Sequence, residues 1–376
     1  MCDRVVDTII MQARRKKALV AMSGGVDSSV AAALLQEQGF EVIGVFFHFW
    51  KEPGSGTKEN ACCSLEAKRD ARAVADKLGI PLYTINVAKV FKQSVVDPFI
   101  QAYACGETPN PCVACNRSVK HAALMRTALQ LGADVVATGH YARVQKRGRE
   151  WQLLRGQDKL KDQSYFLFHL DQRSLARTVF PLGKLQKSQV RSLAKQFNLP
   201  VFNKQESQDI CFIADSVGSF LERNLALKSG DIVDSKGKIV GRHAGLPGFT
   251  IGQRKGLNVG GRGPYFVVGK NAIKNQLLVT NNQNDPRLLM AGVAVKGVSW
   301  VGKVKLPVRA WVETRYHNQP AYAIIKQTGP RSVAVVFRSP QRAVPAGQFA
   351  VFYSKNGKVL GGGVIHKPIS KNYANN

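Results

Sequence analysis

Two groups of residues in this chain have types and spacings that do chemistry. The first is Ser23-Gly24-Gly25-Val26-Asp27-Ser28, a short polar turn between the apolar run Ala18 to Met22 and a segment, Ser28 to Gln38, with alanines and leucines at helical spacing. Two glycines let the backbone approach an anion, and a helix starting here presents unpaired N–H groups and the positive end of its dipole. The turn reads as a phosphate cradle. It has neither the lysine nor the length of the G-x-x-x-x-G-K-[ST] loop. An aspartate among phosphates repels them unless a divalent cation lies between, so Asp27 calls for Mg²⁺. The second group is thiols: Cys112 and Cys115, three apart in Thr108-Pro-Asn-Pro-Cys-Val-Ala-Cys-Asn116, and the distant Cys211 in Ser207-Gln-Asp-Ile-Cys-Phe-Ile213. The pair sits before a predicted helix, whose dipole favours a nucleophilic thiolate. It reads equally as metal or cluster ligands, as a redox or persulfide pair, or as a structural bystander. Cys211 alone reads as an ordinary buried cysteine. Cys2, Cys62, Cys63 and Cys105 receive no role.

These residues need a scaffold to hold them together. The run Ala18 to Met22, Glu41 to Phe49, Leu82 to Val87 and Asp134 to Thr138 read as buried strands. Helical patterns fall between them at Ser28–Gln38, Ser64–Leu78, Ala88–Ala104 and Asn116–Leu131, with Pro98 expected to interrupt the third. Strands alternating with helices predict an α/β fold, a doubly wound parallel sheet with its ligand at the strand C-termini. From about Phe212 helical periodicity fades and glycine-bounded β-branched segments take over. Gly230–Gly241 reads as a hairpin turning at Asp234–Gly237. Val308–Val312, Ala321–Ile325 and Ser332–Phe337 read as short strands. The expected division is residues 1–211 for the catalytic domain, 212–280 for a small central β-rich domain, and 281–376 for a C-terminal β-barrel.

Composition narrows the function classes. The 376 residues carry 54 Lys plus Arg against 25 Asp plus Glu, a net charge of +29 spread along the chain. Such an excess suits a polyanion partner, although charge alone does not choose RNA over DNA and a generally basic proteome would produce it too. Seven cysteines, an odd number, argue against a disulfide framework. No apolar run approaches the roughly 20 residues needed to span a bilayer. Met1 to Arg15 contains Asp3 and Asp7 and lacks a signal-peptide core, so a cytoplasmic location is expected and a membrane partner is not.

The loop S-G-G-x-D-S resembles that of enzymes that split ATP into AMP and pyrophosphate while adenylating a substrate. Together with Thr108-Pro-Asn-Pro, Cys115-Asn116, Ala137-Thr-Gly-His-Tyr141, Lys161-Asp-Gln-Ser-Tyr-Phe-Leu167, Asp209-Ile-Cys-Phe212 and Gly248-Phe-Thr-Ile-Gly-Gln-Arg-Lys-Gly-Leu257, it makes an ordered set that resembles the tRNA-specific 2-thiouridylases from about Lys17 to Tyr353. The resemblance implies an adenine nucleotide α-hydrolase-like catalytic domain and sulfur transfer to C2 of the wobble uridine, with ATP adenylating the carbonyl oxygen. It implies an ATP site at Ala21, Met22, Ser23, Gly24, Gly25, Val26, Asp27 and Ser28 with Phe47 and Gly139, and Cys115 as nucleophile with Cys211 carrying a persulfide. The tRNA anticodon stem-loop would meet Asn110, Pro111, Cys112, His140, Lys161, Asp162, Gln163, Arg315, Tyr316 and Gln348. Sulfur would come from a donor protein such as a cysteine desulfurase or a sulfur relay protein. One position departs from the family pattern: Cys112 stands where most members have Asp. Three cysteines, Cys112, Cys115 and Cys211, would suit a [4Fe–4S] cluster with one free iron if they converged; otherwise the persulfide pair stands. The competing classes are an amidotransferase-type ATP pyrophosphatase, for which no glutaminase segment is visible, and a non-catalytic tRNA-binding module, which would leave Ser23, Asp27, Cys115 and Cys211 idle.

Overall fold

The structure is a computed structural model that describes residues 15–53, 64–205, 210–257, 259–260 and 264–370. The sequence readings at Cys2, Cys62, Cys63 and Asp209 lie outside these residues. The first sheet is built on β1 (Lys17–Ala21), whose central residues are fully buried as the apolar run requires. β2 (Glu41–His48) pairs with it in parallel, Ala18 opposite Val42, and β4 (Val135–Ala137) pairs on its other side, Ala18 opposite Val135. β3 (Leu82–Asn86) and the edge strand Thr178–Val179 complete a parallel sheet with β1 at its centre. Helices α1 (Val26–Glu37) and α2 (Leu65–Leu78), with Lys187–Gln196, cover one face; the segments 88–104 and 111–130 cover the other. Ser64 caps α2 by accepting from the Ala67 N–H, and Gly79 ends it at φ +63°.

Two local expectations change. Pro98 does not interrupt its helix: a π-turn at Lys92–Val96 precedes the helix Asp97–Ala104, and this wider turn makes room where the proline ring would meet the carbonyl four residues back. The helix expected to start at Asn116 starts at Pro111, because Asn110 caps it and proline suits the first helical position. The positive end of the dipole therefore falls on Cys112, with Cys115 a turn further in.

Beyond residue 212 the α-helix Val217–Asn224 was not legible as such; Ser216 caps it, and Phe220 packs edge-on against Phe212 and Phe99 in the first core. A four-stranded sheet follows, in the order Phe266–Asn271, Gln276–Thr280, Gly230–Val233, Ile239–His243. Its hairpin turns where expected, with the Asp234 carboxylate accepting from the N–H groups of Lys236 and Lys238. The last six strands, Leu289–Trp300, Val308–Glu313, Ala321–Gly329, Ser332–Arg342, Phe349–Tyr353 and Val359–Ser370, close into an antiparallel barrel filled by Val293, Val295, Ile325, Val335 and Phe352.

Candidate active site

The cradle lies at the C-terminal edge of β1, as the strand–turn–helix pattern requires. Gly24 sits at φ +74°, and a Cβ there would lie 2.2 Å from the Ala67 carbonyl oxygen, so only glycine fits between the loop and α2. The serines brace the turn: Ser28 Oγ accepts from the Ser23 N–H at 3.1 Å and donates to the Gly25 carbonyl at 3.1 Å, and Ser29 Oγ donates to the same carbonyl at 2.9 Å. At the end of β4, Gly139 presses against the start of α1, where a Cβ would come within 2.7 Å of the Ser28 nitrogen. The cradle and the adjacent strand end thus form one surface.

A cavity of about 220 Å³ opens from this surface. Its apolar end is lined by Phe46, Phe47, Phe49, Leu124, Leu167 and Phe180, and its polar end by Ser23, Asp27 and Ser28. Ala21, Met22, Gly139, His140 and Gln163 line it too, so these sequence-predicted residues share one space. Pockets for whole drug-sized ligands run to roughly 300–1,000 Å³. This one is smaller, with an apolar end suited to a flat ring and a polar end at the cradle.

The histidines here are kept neutral. Burial, with Lys120 and His121 nearby, pushes His140 down to about 3, and its Nδ1 lies 2.7 Å from Thr138 Oγ1. Burial likewise lowers His121, 3.3 Å from Thr178 Oγ1, and takes His169 to about 3. The His169 ring is buried beside the Asn116 backbone. A neutral imidazole at His140 can donate or accept one hydrogen bond without adding charge to an anionic pocket.

Asn110 Oδ1 accepts from the N–H groups of Cys112 and Val113, at 3.1 and 3.3 Å, fixing the start of the cysteine helix. Pro111 is buried, Cys112 is exposed and Cys115 is buried; Asn116, the next residue, lines the cavity. Cys211 is half-buried and packs against the same core cluster that contains Cys115. No group of three His, Cys, Asp or Glu side chains among the described residues is arranged to hold a metal ion. Cys112 is exposed while Cys115 is buried and Cys211 half-buried, so the described residues do not show the three thiols gathered as a cluster would need.

The catalytic domain, the central domain and the barrel meet at the loop before this helix. The Thr108 N–H donates to the Ala346 carbonyl of the barrel at 2.9 Å, Gln348 Nε2 donates to the Thr108 carbonyl at 2.8 Å, and Thr108 Oγ1 lies 3.0 Å from Thr250 Oγ1 of the central domain. Gln348, expected to face RNA, is thus tied to the cysteine loop. On the opposite side Tyr316 packs on Phe166 at 4.4 Å, beside the turn that carries Lys161, Asp162 and Gln163, and Arg315 is half-buried next to it. Gln163 is held through Tyr141, whose N–H donates to Gln163 Oε1 at 3.1 Å. Asp162 does not face solvent: its carboxylate is buried and accepts from Arg155, the Gly156 N–H, and the N–H and hydroxyl of Ser164. It shapes the turn, leaving Lys161 and Gln163 at its surface.

Sequence reasoning missed three residues. Lys187 Nζ donates to both Asp27 oxygens at 2.7 and 2.9 Å, and Tyr141 Oη donates to Asp27 Oδ1 at 2.8 Å. Arg155 bridges Asp162 at 2.9 Å and Glu313 of the barrel at 2.6 Å while lying 3.7 Å over the Tyr353 ring. One signal existed for Lys187: a cation in the first turn of a helix runs against the dipole, which marks it as held there by something else.

Residues 16–215, 218–281 and 290–365 match, in turn, the families described as tRNA methyl transferase HUP domain, tRNA methyl transferase PRC-barrel domain and aminomethyltransferase beta-barrel domain. The chain is 44% identical over 362 residues to the tRNA-specific 2-thiouridylase MnmA of Carboxydothermus hydrogenoformans, covering 94% of this chain and 98% of that one. It is 41% identical over 359 residues to tRNA-specific 2-thiouridylase MnmA 1 of Clostridium botulinum, covering 94% and 100%. Among solved structures, NMN synthetase from Francisella tularensis matches 52% of this chain and 67% of its own at 20% identity, with a TM-score of 0.34.

Proposed function

Because this chain belongs to the tRNA-specific 2-thiouridylases, it is an ATP-dependent tRNA sulfurtransferase, and we propose that it places sulfur at C2 of the wobble uridine through an O-adenylated intermediate. An amide-like carbonyl cannot expel oxide, so the oxygen must first be made a leaving group. The uridine O2 attacks the α-phosphorus, the bond from that phosphorus to the bridging oxygen breaks with its electron pair leaving on pyrophosphate, and the N3 proton departs. Sulfur then adds at C2 and AMP leaves.

The residues support a division of labour. Ala21 to Ser28 would hold the phosphates, with Phe47 and Gly139 against the adenosine. Asp27, partly exposed beside two serine hydroxyls, is a hard oxygen donor that fits Mg²⁺, which would neutralise charge on the polyphosphate. Asn110, Pro111, Cys112, His140, Lys161 and Gln163 would meet the flipped base and its neighbours, Arg315 and Tyr316 the anticodon arm, and Gln348 the loop that presents the cysteines. The exposed Cys112 stands apart from the buried Cys115 and half-buried Cys211, which favours a sulfur route through a persulfide over a cluster on the three thiols. The terminal sulfur of a Cys211 persulfide, loaded by a donor protein, attacks C2. Cys115 thiolate then attacks the Cys211 sulfur, releasing the thiocarbonyl and leaving a Cys115–Cys211 disulfide that an external dithiol reduces. A tRNA substrate and a cytoplasmic location go together; no helix among the described residues is long and apolar enough to cross a membrane.

The observation that carries this reading is that Cys115 and Cys211 belong to one core, with Asn116, the neighbour of Cys115, lining the cavity whose polar end is the phosphate cradle. Incubation with a cysteine desulfurase and cysteine, followed by alkylation and mass spectrometry, should find a persulfide on Cys211 in Cys115→Ser and none in Cys211→Ser. Protein purified without oxygen that carries about four irons per chain, lost in Cys112→Asp together with activity, would replace the persulfide with a cluster.

A further inference from the structure

We infer that Lys187 is a polyphosphate-binding residue, parked on Asp27 until Mg-ATP arrives and then moved to the pyrophosphate end of the nucleotide. The inference rests on the reading of Ser23 to Ser28 as the ATP cradle. The cavity fixes the direction of the ligand: its aromatic end takes the base, so the phosphates run out past Ser23 and Ser28 to Asp27. Lys187 stands at that exit. Its ammonium contacts both carboxylate oxygens of Asp27, and its side chain is 13% exposed.

A Mg²⁺ on Asp27 would compete with Lys187 for the carboxylate, since both oxygens accept from the ammonium. As Asp27 turns to Mg²⁺ its hold on the largely buried ammonium weakens, and the incoming polyphosphate offers that ammonium a more highly charged anion close by. Its backbone cannot follow a large movement, since the Lys187 N–H is held by Asp158 Oδ2 at 2.9 Å. The exchange is therefore a swing of the flexible lysine stem about a fixed start. In the adenylation step the bond from the α-phosphorus to the bridging oxygen breaks and its electron pair stays on pyrophosphate, so negative charge grows where the ammonium has moved. Lys187 would supply the cation that the short loop lacks, from a helix 160 residues downstream.

The same Asp158 carboxylate accepts from the N–H groups of Leu160 and Lys161, so the lysine is anchored to the turn expected to contact tRNA. That link places the swing within reach of the second substrate, but the test concerns the phosphates alone.

Full-length wild type and Lys187→Met are compared for tRNA-dependent pyrophosphate release and for equilibrium binding of Mg-ATP and of AMP. The variant should lose about 10- to 100-fold in pyrophosphate release and in Mg-ATP affinity while AMP affinity stays within about twofold, because AMP has no phosphate at that end. Equal losses for ATP and AMP, or no loss, would show Lys187 to be only a prop for Asp27. Should the methionine variant not fold, Lys187→Arg is read by the same ratio: preference for ATP over AMP kept within about fivefold supports the inference, and a ratio near that of a chain indifferent to the terminal phosphates overturns it. Wild type that releases no pyrophosphate with tRNA would instead overturn the adenylation reading itself.

Discussion

Arg155→Met tests how the barrel is fixed to the catalytic domain. Arg155 leaves the hairpin Ala142–Arg147/Glu150–Arg155 and joins two buried carboxylates, Asp162 and Glu313, both about 5% exposed. Methionine keeps part of the packing on Tyr353 and removes the cation. Breaking a buried ion pair by deleting one partner costs about 3–5 kcal/mol, because the remaining charge is stranded. Arg155 is itself 28% exposed, so water reaches the site and about 3 kcal/mol is the better figure. The pH dependence is diagnostic. Burial already pushes Glu313 above the usual carboxylate range even with Arg155 beside it. Without Arg155 the shift grows, and a carboxyl with a raised folded value is penalised above that value and relieved as pH falls through it. The deficit of the variant in urea unfolding should therefore be largest near neutral pH and shrink towards pH 5, and adding Glu313→Gln should recover part of it. Hydrogen exchange in Val308–Glu313 and in the turn 158–163 should rise together. A deficit below about 1 kcal/mol, or one that does not change with pH, would refute the view that this buried charge cluster fastens the domains.

Asp27→Ala should abolish pyrophosphate release and leave tRNA binding within about twofold of wild type in a filter-binding assay; comparable release would show that Asp27 does not act on the phosphates. Gly24→Ala should lose nucleotide binding, since its Cβ meets the Ala67 carbonyl, and retained ATP affinity would contradict the cradle geometry. His169, held neutral by burial, binds its proton in the unfolded chain near pH 6.5 and in the folded chain only near 3, so stability falls as pH drops between these values, by about 2 kcal/mol at pH 5. His169→Leu should flatten that part of the thermal-denaturation profile; an unchanged slope would mean another group sets it. Affinity for tRNA should fall steeply with added salt as the basic surface releases counterions, and a flat dependence would leave the net charge of +29 without a role in binding.

The catalytic sheet was legible because its strands are apolar runs and its glycines have backbone jobs: Gly79 ends a helix at positive φ, and Gly24 and Gly139 leave room for close contacts. Helix starts were less legible. Asn110-Pro111 is a cap and first-turn signal, yet the stretch after Asn116 has the longer apolar pattern and drew the helix start too late. Local types left Cys112 and Cys115 undistinguished, and only the family resemblance singled out Cys115. The cradle and the strand-end Gly139-His140 could be read from local residue types. Partners such as Lys187 for Asp27 and Glu313 for Arg155 could not, because they lie 160 and 158 positions away and the only local trace is an unfavourable charge at a helix start. Asp162 shows the converse limit: its Lys-Asp-Gln setting looks solvent-facing, and burial by Arg155 and Ser164 is a tertiary fact.

The most direct test of sulfur transfer by way of adenylation is a complete reaction with unmodified tRNA, Mg-ATP, a cysteine desulfurase with cysteine and a dithiol reductant, analysed for nucleosides by mass spectrometry and for AMP and pyrophosphate. The account predicts 2-thiouridine at the wobble position with one AMP and one pyrophosphate per sulfur inserted, and from Cys115→Ser no free 2-thiouridine, with AMP and pyrophosphate release stopping after about one turnover because the sulfur stays bonded to Cys211. Thiolation without AMP formation, or AMP and pyrophosphate released with no sulfur in the tRNA of wild type, would contradict it.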